Sequence, residues 1–268
     1  MEERRETLTE ISVPTKENQV LQRTLDEVNK NRELHTLWRV INVNAIDRMN
    51  YSDHGPVHFQ IVANIALRLS RILKSKGVEM TLERDYKLSY DHAEVVIFLA
   101  SIMHDLGMSI SRAQHEEFSL ILANRLLHEV LDFMKVEERT IIISETLHSI
   151  IAHRAGGKPI TLEAGIVRVA DALDMSEGRS RIPYMKGEKN IHAISAAAIN
   201  GVDINEGSER AIEIVIRMNN SAGLFQIDDL MGSKIKGSGL EKHVAVRAYI
   251  EGESEKKLLV DEFRIDKF

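Results

Sequence analysis

One stretch of the chain, residues 95–107, reads Val95-Val96-Ile97-Phe98-Leu99-Ala100-Ser101-Ile102-Met103-His104-Asp105-Leu106-Gly107. Its first nine residues are apolar on every face of a helix, which predicts a helix at the centre of a helical core. A carboxylate at the end of such a helix is costly to bury unless a cation compensates its charge. A divalent metal ion does so, and His104 and Asp105 are both ordinary metal ligands.

The composition limits the kinds of protein and of site that the chain can form. Its 268 residues suit one large domain, or a medium one and a small one. The net charge of −6 argues against a broad nucleic-acid-binding surface. There is no cysteine, so a metal site must use nitrogen and oxygen ligands. The charged N-terminus is no signal peptide and the apolar runs are too short to span a bilayer, so we expect a cytoplasmic protein.

Residues 15–185 have apolar residues at helical spacing and few prolines, which predicts a helical bundle. The bundle begins with N-terminal helices over residues 15–50. These helices are expected either to cover the core or to form a homodimer contact. The charged stretch over residues 77–91 is expected to be a surface loop.

Beyond the bundle the pattern changes from helical to alternating. Side chains alternate around Ile214 and again around Val246, which is typical of strands, and residues 221–236 between them have helical character. The predicted fold is therefore mainly α, with a helical domain over residues 1–186 and a small α+β appendage over residues 187–268. The appendage is expected either to form a lid beside a pocket or to pair with another subunit.

Six histidines and aspartates lie near the ends of five predicted helices: His58, His104, Asp105, His115, His153 and Asp171. Each has an ordinary explanation, such as a core histidine bound to a carbonyl group, or an acid paired with an arginine such as Arg168. Because helix ends in a bundle can converge on one rim, the set together can supply a closed ligand shell. The sequence leaves open whether His148 or His153 is the ligand from the fifth helix.

The order His, His-Asp, Asp in a helical setting resembles the HD-domain superfamily of metal-dependent phosphohydrolases. The matching stretches are residues 58–63, 103–107 and 169–174. Residues 114–119 and 149–153 resemble the extra histidines of members that carry two metals. The stretch 150–181 is also similar to the HD domain of ribonuclease Y.

The resemblance implies an HD-type helical bundle with a first metal ion held by four ligands, which are His58, His104, Asp105 and Asp171. His115 and His153 would hold a second ion, with Asp105 bridging the two. Nitrogen-rich coordination favours manganese, iron, cobalt, nickel or zinc over magnesium. Such an ion brings the pKa of bound water towards neutrality.

One departure from the family pattern affects the expected phosphate contacts. Met108 stands where many relatives carry a lysine after the HDxG motif, and Arg112 is the expected substitute. The expected catalytic residues are Asp105, Arg112 and His115. The expected phosphate-binding residues are Arg112, Arg154, Lys158, Arg179 and Arg181.

The leading hypothesis is the metal-dependent hydrolysis of a phosphate mono- or diester, with a small phosphorylated substrate, a nucleotide, as partner. Three alternatives stay open: a ribonuclease Y-like RNA phosphodiesterase, a di-iron oxygenase of the HD type, and a non-catalytic nucleotide sensor. The negative charge and the absence of an RNA-binding motif disfavour RNA. The oxygenase would require iron and consume oxygen, whereas the sensor would bind a nucleotide without turnover.

Overall fold

The computed structural model describes residues 9–154, 156–175, 195, 197–251 and 262–264. The helices of its larger part are α1 (Gln19–Lys30), α2 (Arg32–Asn42), α3 (Pro56–Ser75), α4 (Thr81–Tyr86), α5 (Tyr90–Met103), α6 (His115–Val130), α7 (Val136–Ala152) and α8 (Leu162–Leu173). A π-helical turn, Val43–Arg48, continues α2, and a 3₁₀ turn, Leu106–Ser109, follows α5. No helix of the described residues has both the length and the apolar character that crossing a bilayer requires.

Helix α5 is the centre of the helical bundle, as its sequence predicts. All of its residues from position 93 to position 103 are buried, and it packs against α1, α3, α4, α7 and α8. The one carboxylate among them, Glu94, accepts hydrogen bonds from Arg71 Nε at 2.6 Å and Asn18 Nδ2 at 2.9 Å. The mainly α fold is therefore confirmed, with a core helix that ends at Met103 and is followed directly by His104.

The N-terminal helices bury their apolar faces against this core. Leu21, Leu34 and Ile41 are buried, and Trp38 Nε1 donates a hydrogen bond to Ile102 O at 3.1 Å. The apolar faces of these helices therefore pack on the core of the same chain, which agrees with the expectation that the helices cover the core.

The prediction of a surface loop over residues 77–91 is wrong in part. The short helix α4 lies within it, and both Met80 and Leu82 are buried. Glu83 accepts a hydrogen bond from the backbone N–H of Met80 at 3.2 Å, which stabilises the first turn. Because this stretch is rich in charged residues, its sequence does not indicate the helix, which is anchored by two apolar side chains.

The C-terminal part is a four-stranded sheet with one helical crossover. The strands, in the spatial order β1–β2–β3–β4, are Ile199–Glu206, Ile212–Met218, Val244–Ile250 and Glu262–Arg264. β2 and β3 are parallel, and β1 and β4 are antiparallel to their neighbours. The crossover between β2 and β3 contains α9 (Gly223–Phe225), a π-helical turn (Gln226–Met231) and α10 (Gly232–Ile235).

The predicted α+β character of this part is confirmed, including the strands around Ile214 and Val246 and the helix between them. Strand β1 was not predicted, because Gly201 and a register shift beside it interrupt the alternation. The predicted boundary between residues 186 and 187 lies outside the described residues.

The C-terminal unit packs closely on helix α8. Arg168 is 2 % exposed, and its guanidinium donates to the backbone oxygens of Gly157 and of Ser233, the latter at 2.8 Å. A Cβ atom at Gly165 would overlap Ser238 O, so a glycine is required for this close approach. Helix α8 is thus held against α10 and the residues that follow it.

Candidate metal centre

The structure brings the ends of five helices together at one place. Each helix contributes a residue of the set found in the sequence: His58 in the first turn of α3, His104 at the C-cap of α5, His115 at the start of α6, His153 at the C-cap of α7 and Asp171 in the last turn of α8. Asp105 follows His104 directly. Side chains that are far apart in the sequence therefore share one cluster.

Three ligand atoms form the first group within this cluster. His58 Nε2 lies 3.3 Å from His104 Nε2. Asp171 Oδ1 lies 3.6 Å from His58 Nε2 and 3.7 Å from His104 Nε2. These three atoms all lie within 4.8 Å of one another, which is close enough for a single ion to contact all of them.

Asp105 joins this group to a second one. Its Oδ2 lies 3.6 Å from His104 Nε2, and its Oδ1 lies 3.1 Å from His115 Nε2 and 3.7 Å from His153 Nε2. The side chain of Asp105 is 6 % exposed. Its two oxygens therefore face different groups of histidines, which is the position that a bridging carboxylate needs.

The four histidines all use the same ring nitrogen to bind the protein. The partners of Nδ1 are Asp174 Oδ2 at 2.6 Å for His58, Ser101 O at 2.9 Å for His104, Arg112 O at 2.9 Å for His115 and Ile150 O at 2.6 Å for His153. Because these oxygens accept hydrogen bonds, each Nδ1 carries a hydrogen and donates it. Nε2 is then directed at the cluster, as in metal-binding histidines whose other nitrogen is held by an oxygen.

This tautomer provides a test of whether a metal ion fits. With hydrogen on both Nδ1 atoms, the Nε2 lone pairs of His58 and His104 face each other at 3.3 Å, an arrangement that a cation between them stabilises. Two nitrogens bound tetrahedrally to one ion at about 2.1 Å lie about 3.4 Å apart. The donor set and its spacing therefore fit a divalent transition metal.

The protonation states of His104 and His153, both buried, suit metal binding. Burial lowers the pKa of His104. Burial, together with the nearby His104 and Lys234, lowers the pKa of His153 to about 3. Both rings are therefore neutral at physiological pH, which is the form of imidazole that binds metals.

Asp105 and His115 form a charged pair. Burial favours a raised pKa for Asp105, but His104 and the hydrogen bond to His115 outweigh it, and the pKa lies well below its ordinary value. Burial likewise favours a lowered pKa for His115, but the hydrogen bond and charge of Asp105 raise it to about 9. A cation bound between these two side chains would displace the proton of His115, since a histidine binds metal in its neutral form.

Three further residues at the cluster were not among the sequence candidates. Asp174 is buried against His58 Nδ1, one turn after Asp171, so its helical spacing was an available signal. Glu116 lies close enough to His115 and His153 to share a cation with them. His54 lies in the loop before α3, with its ring 5.7 Å from that of His58. The sequence gives no signal for Glu116 or His54, because acidic residues are common in the first turn of a helix and a histidine in a loop follows no periodic pattern.

Three of the expected phosphate-binding residues belong to the described part of the chain, and all three are exposed. Arg112 is exposed and stacks over the ring of Tyr51 at 4.6 Å. Arg154 is exposed and pairs with Glu117 at 3.0 Å. Lys158 is exposed. Arg179 and Arg181 lie outside the described residues.

Asp171 is paired with a cation that the sequence did not indicate. Lys234 Nζ, in α10 of the C-terminal unit, lies 3.0 Å from Asp171 Oδ2 and 2.6 Å from His153 O. Arg168, which the sequence offers as a partner for this acid, donates to backbone carbonyl groups of Gly157 and Ser233. Lys234 lies 63 residues from Asp171 in the sequence.

The structure separates the roles of the two neighbouring histidines of α7. His153 Nε2 faces Asp105, whereas His148 Nε2 accepts a hydrogen bond from the backbone N–H of Ile160 at 3.1 Å.

We therefore expect His153→Ala to weaken metal binding by at least the 10- to 100-fold that loss of an outer partner costs. His148→Ala should leave metal affinity unchanged and cost about 1 kcal/mol of stability. Calorimetric titration with Mn²⁺ measures the metal affinity of each variant, and chemical denaturation measures its stability. Equal metal affinities of the two variants would contradict the assignment.

Comparisons with known proteins agree with this geometry. A family model described as the HD domain matches residues 57–176, which include every candidate ligand. An uncharacterized protein of Methanocaldococcus jannaschii is 40% identical over 229 residues, which cover 85% of this chain and 88% of the relative. No solved structure matches the chain. The matched family is the HD domain as a whole, and ribonuclease Y is not singled out.

Proposed function

The chain belongs to the HD-domain family, and on this basis we propose that it is a metal-dependent phosphohydrolase that cleaves a phosphate mono- or diester of a nucleotide. The observation that carries the proposal is the common orientation of the four histidines. Each Nδ1 is held by an oxygen of the protein, so each Nε2 is available to a metal ion at the cluster.

The proposed ligands divide between two ions. His58, His104 and Asp171 would hold one, His115 and His153 the other, and Asp105 would bridge them. Imidazole and carboxylate ligands of this kind suit manganese, iron, cobalt, nickel or zinc. When bound, such ions supply a nucleophile from water at neutral pH and neutralise phosphoryl oxygens.

The protein's own residues would hold the site in its active state. The low pKa of Asp105 keeps its carboxylate ionised, so that both of its oxygens remain acceptors. The burial of His58, His104 and His153 excludes bulk water from the inner side of the cluster. On the outer side, Arg112 is exposed three residues before His115, where we propose that it contacts the substrate phosphate.

A nucleotide substrate is supported by the pair formed by Arg112 and Tyr51. Tyr51 is 36 % exposed as a residue, and the guanidinium of Arg112 stacks over its ring. An aromatic face beside a cationic group is an arrangement that accepts a base and a phosphate of one ligand. We therefore propose that Tyr51 contributes to the binding of the base.

Metal removal and reconstitution test the proposal. The chelator-treated protein is expected to lose the hydrolysis of a panel of nucleoside mono- and diphosphates and cyclic dinucleotides. Addition of Mn²⁺, Co²⁺ or Zn²⁺ should restore turnover by at least about 10³-fold, since metal assistance is worth several kcal/mol of transition-state stabilisation. Phosphate release assays measure this change directly.

The same preparation distinguishes the proposed activity from the alternatives. Cleavage of single-stranded RNA in preference to every nucleotide would favour the phosphodiesterase. Oxygen uptake by the iron-loaded protein would favour the oxygenase. Nucleotide binding without any turnover, across all the metals tested, would contradict the hydrolase and favour a sensor.

A further inference from the structure

We propose that Lys234, which belongs to the C-terminal α+β unit, is a positioning residue of the metal centre. Its ammonium group holds one oxygen of Asp171, so that the other oxygen is presented to the metal ion. The proposal rests on the metal site described above and assigns the C-terminal unit a part in it.

The two oxygens of Asp171 have different partners. Oδ1 lies 3.6 Å from His58 Nε2 and 3.7 Å from His104 Nε2, on the side where the ligand atoms converge. Oδ2 lies 3.0 Å from Lys234 Nζ. Carboxylates that bind metals are themselves hydrogen-bonded, and this second partner fixes their orientation. Lys234 is in the position to do this for Asp171.

Lys234 also joins the ends of two helices that carry ligands. Its Nζ donates to His153 O at 2.6 Å as well as to Asp171 Oδ2. His153 is the C-cap of α7 and Asp171 lies in the last turn of α8. The lysine side chain is only 16 % exposed, so its charge is poorly screened by water and its interaction with the carboxylate is strengthened.

The backbone of Lys234 is fixed by the helix whose aspartate it contacts. Arg168, one turn before Asp171 on α8, donates to the carbonyl oxygens of Ser233 and Lys236, which flank position 234 on both sides. Gly165, a further turn back, allows Ser238 to approach the helix. Three successive turns of α8 therefore hold α10 and the residues after it, which directs Lys234 towards the site.

The cation that holds Asp171 comes from outside the HD motif. Position 108, after the HDLG sequence, is Met108 and is fully buried. Lys234 brings its positive charge to Asp171 from a separate part of the chain. The C-terminal unit therefore completes the ligand environment of Asp171.

The test compares Lys234→Ala with Lys236→Ala, which removes an exposed lysine two residues away. We expect Lys234→Ala to weaken Mn²⁺ binding by about 10- to 100-fold in calorimetric titration, as the loss of an outer partner does. Lys236→Ala should match the wild type, and Lys234→Arg, which keeps the charge and donors, should recover part of the loss. If the lysine acts through metal binding, excess Mn²⁺ should restore the turnover of Lys234→Ala without a change in KM.

Four outcomes decide between the possibilities. Equal Mn²⁺ affinity of wild type and Lys234→Ala would overturn the inference and leave the proposed function standing. Absence of Mn²⁺, Co²⁺ or Zn²⁺ binding by the wild type would overturn the proposed function itself. A higher KM at saturating metal would show that Lys234 contacts substrate and is not a positioning residue. If Lys234→Ala does not fold, Lys234→Gln retains a donor without the charge, and unchanged affinity in that variant counts against the inference.

Discussion

Replacing Asp105 with alanine is expected to abolish metal binding at one group of ligands and to lower hydrolysis by about 10³-fold or more. Its two oxygens face His104 on one side and His115 and His153 on the other, at 3.1–3.7 Å. Loss of this carboxylate removes a ligand from both groups at once. Metal assistance is worth several kcal/mol in the transition state, and about 1.4 kcal/mol corresponds to a tenfold change in rate.

The measurement combines elemental analysis with turnover of the best substrate at saturating metal. Asp132→Ala is a suitable control, because the Asp132 side chain is 84 % exposed and pairs only with Arg139 among the ion pairs of the described chain. Undiminished hydrolysis by Asp105→Ala would exclude the proposed metal mechanism. Full metal content with no activity would instead indicate that the ions are held without the bridge.

Replacing Gly107 with alanine is expected to destabilise the protein by about 3 kcal/mol or more. A Cβ atom at this position would overlap His115 O and come within 2.7 Å of Ser119 N, and neither backbone atom can rotate away. The close contact also serves the site, because Ser119 Oγ accepts from Gly107 N–H and donates to His104 O. The added methyl group must therefore push the start of α6, with His115, away from Asp105.

Chemical denaturation of the metal-free protein measures this change, and Mn²⁺ titration measures the displacement of His115. Gly156→Ala is the matched control, because the nearest atom to its added Cβ is a side-chain nitrogen of Arg154 at 4.0 Å. Its free energy of unfolding should stay within about 0.5 kcal/mol of the wild type. Equal stabilities of the two variants would show that α6 moves without cost, contrary to the packing described here.

Much of the fold could be predicted because its signals are local. The apolar run of α5 specifies a buried helix by itself, and the alternation around Ile214 and Val246 specifies strands. Errors arose where tertiary contacts outweigh local pattern. Helix α4 has only Met80, Thr81 and Leu82 as buried side chains in a charged stretch. Strand β1 loses its alternation at a glycine and a register shift.

The candidate ligands were predictable for a similar reason, and their surroundings were not. A histidine or aspartate at the end of an apolar helix is conspicuous in sequence because its burial is costly. His148 and His153 look alike by this criterion, and only the structure shows that one faces Asp105 and the other holds Ile160.

The sequence by itself determined the helical core, the α+β character of the C-terminal part and the six side chains able to bind a metal. Only the tertiary structure decided which atoms of those side chains face each other, and which residues hold them there. Asp174 and Lys234 contact their partners across 116 and 63 residues of chain. A contact between distant segments depends on how helices pack in three dimensions, and no local periodicity encodes it.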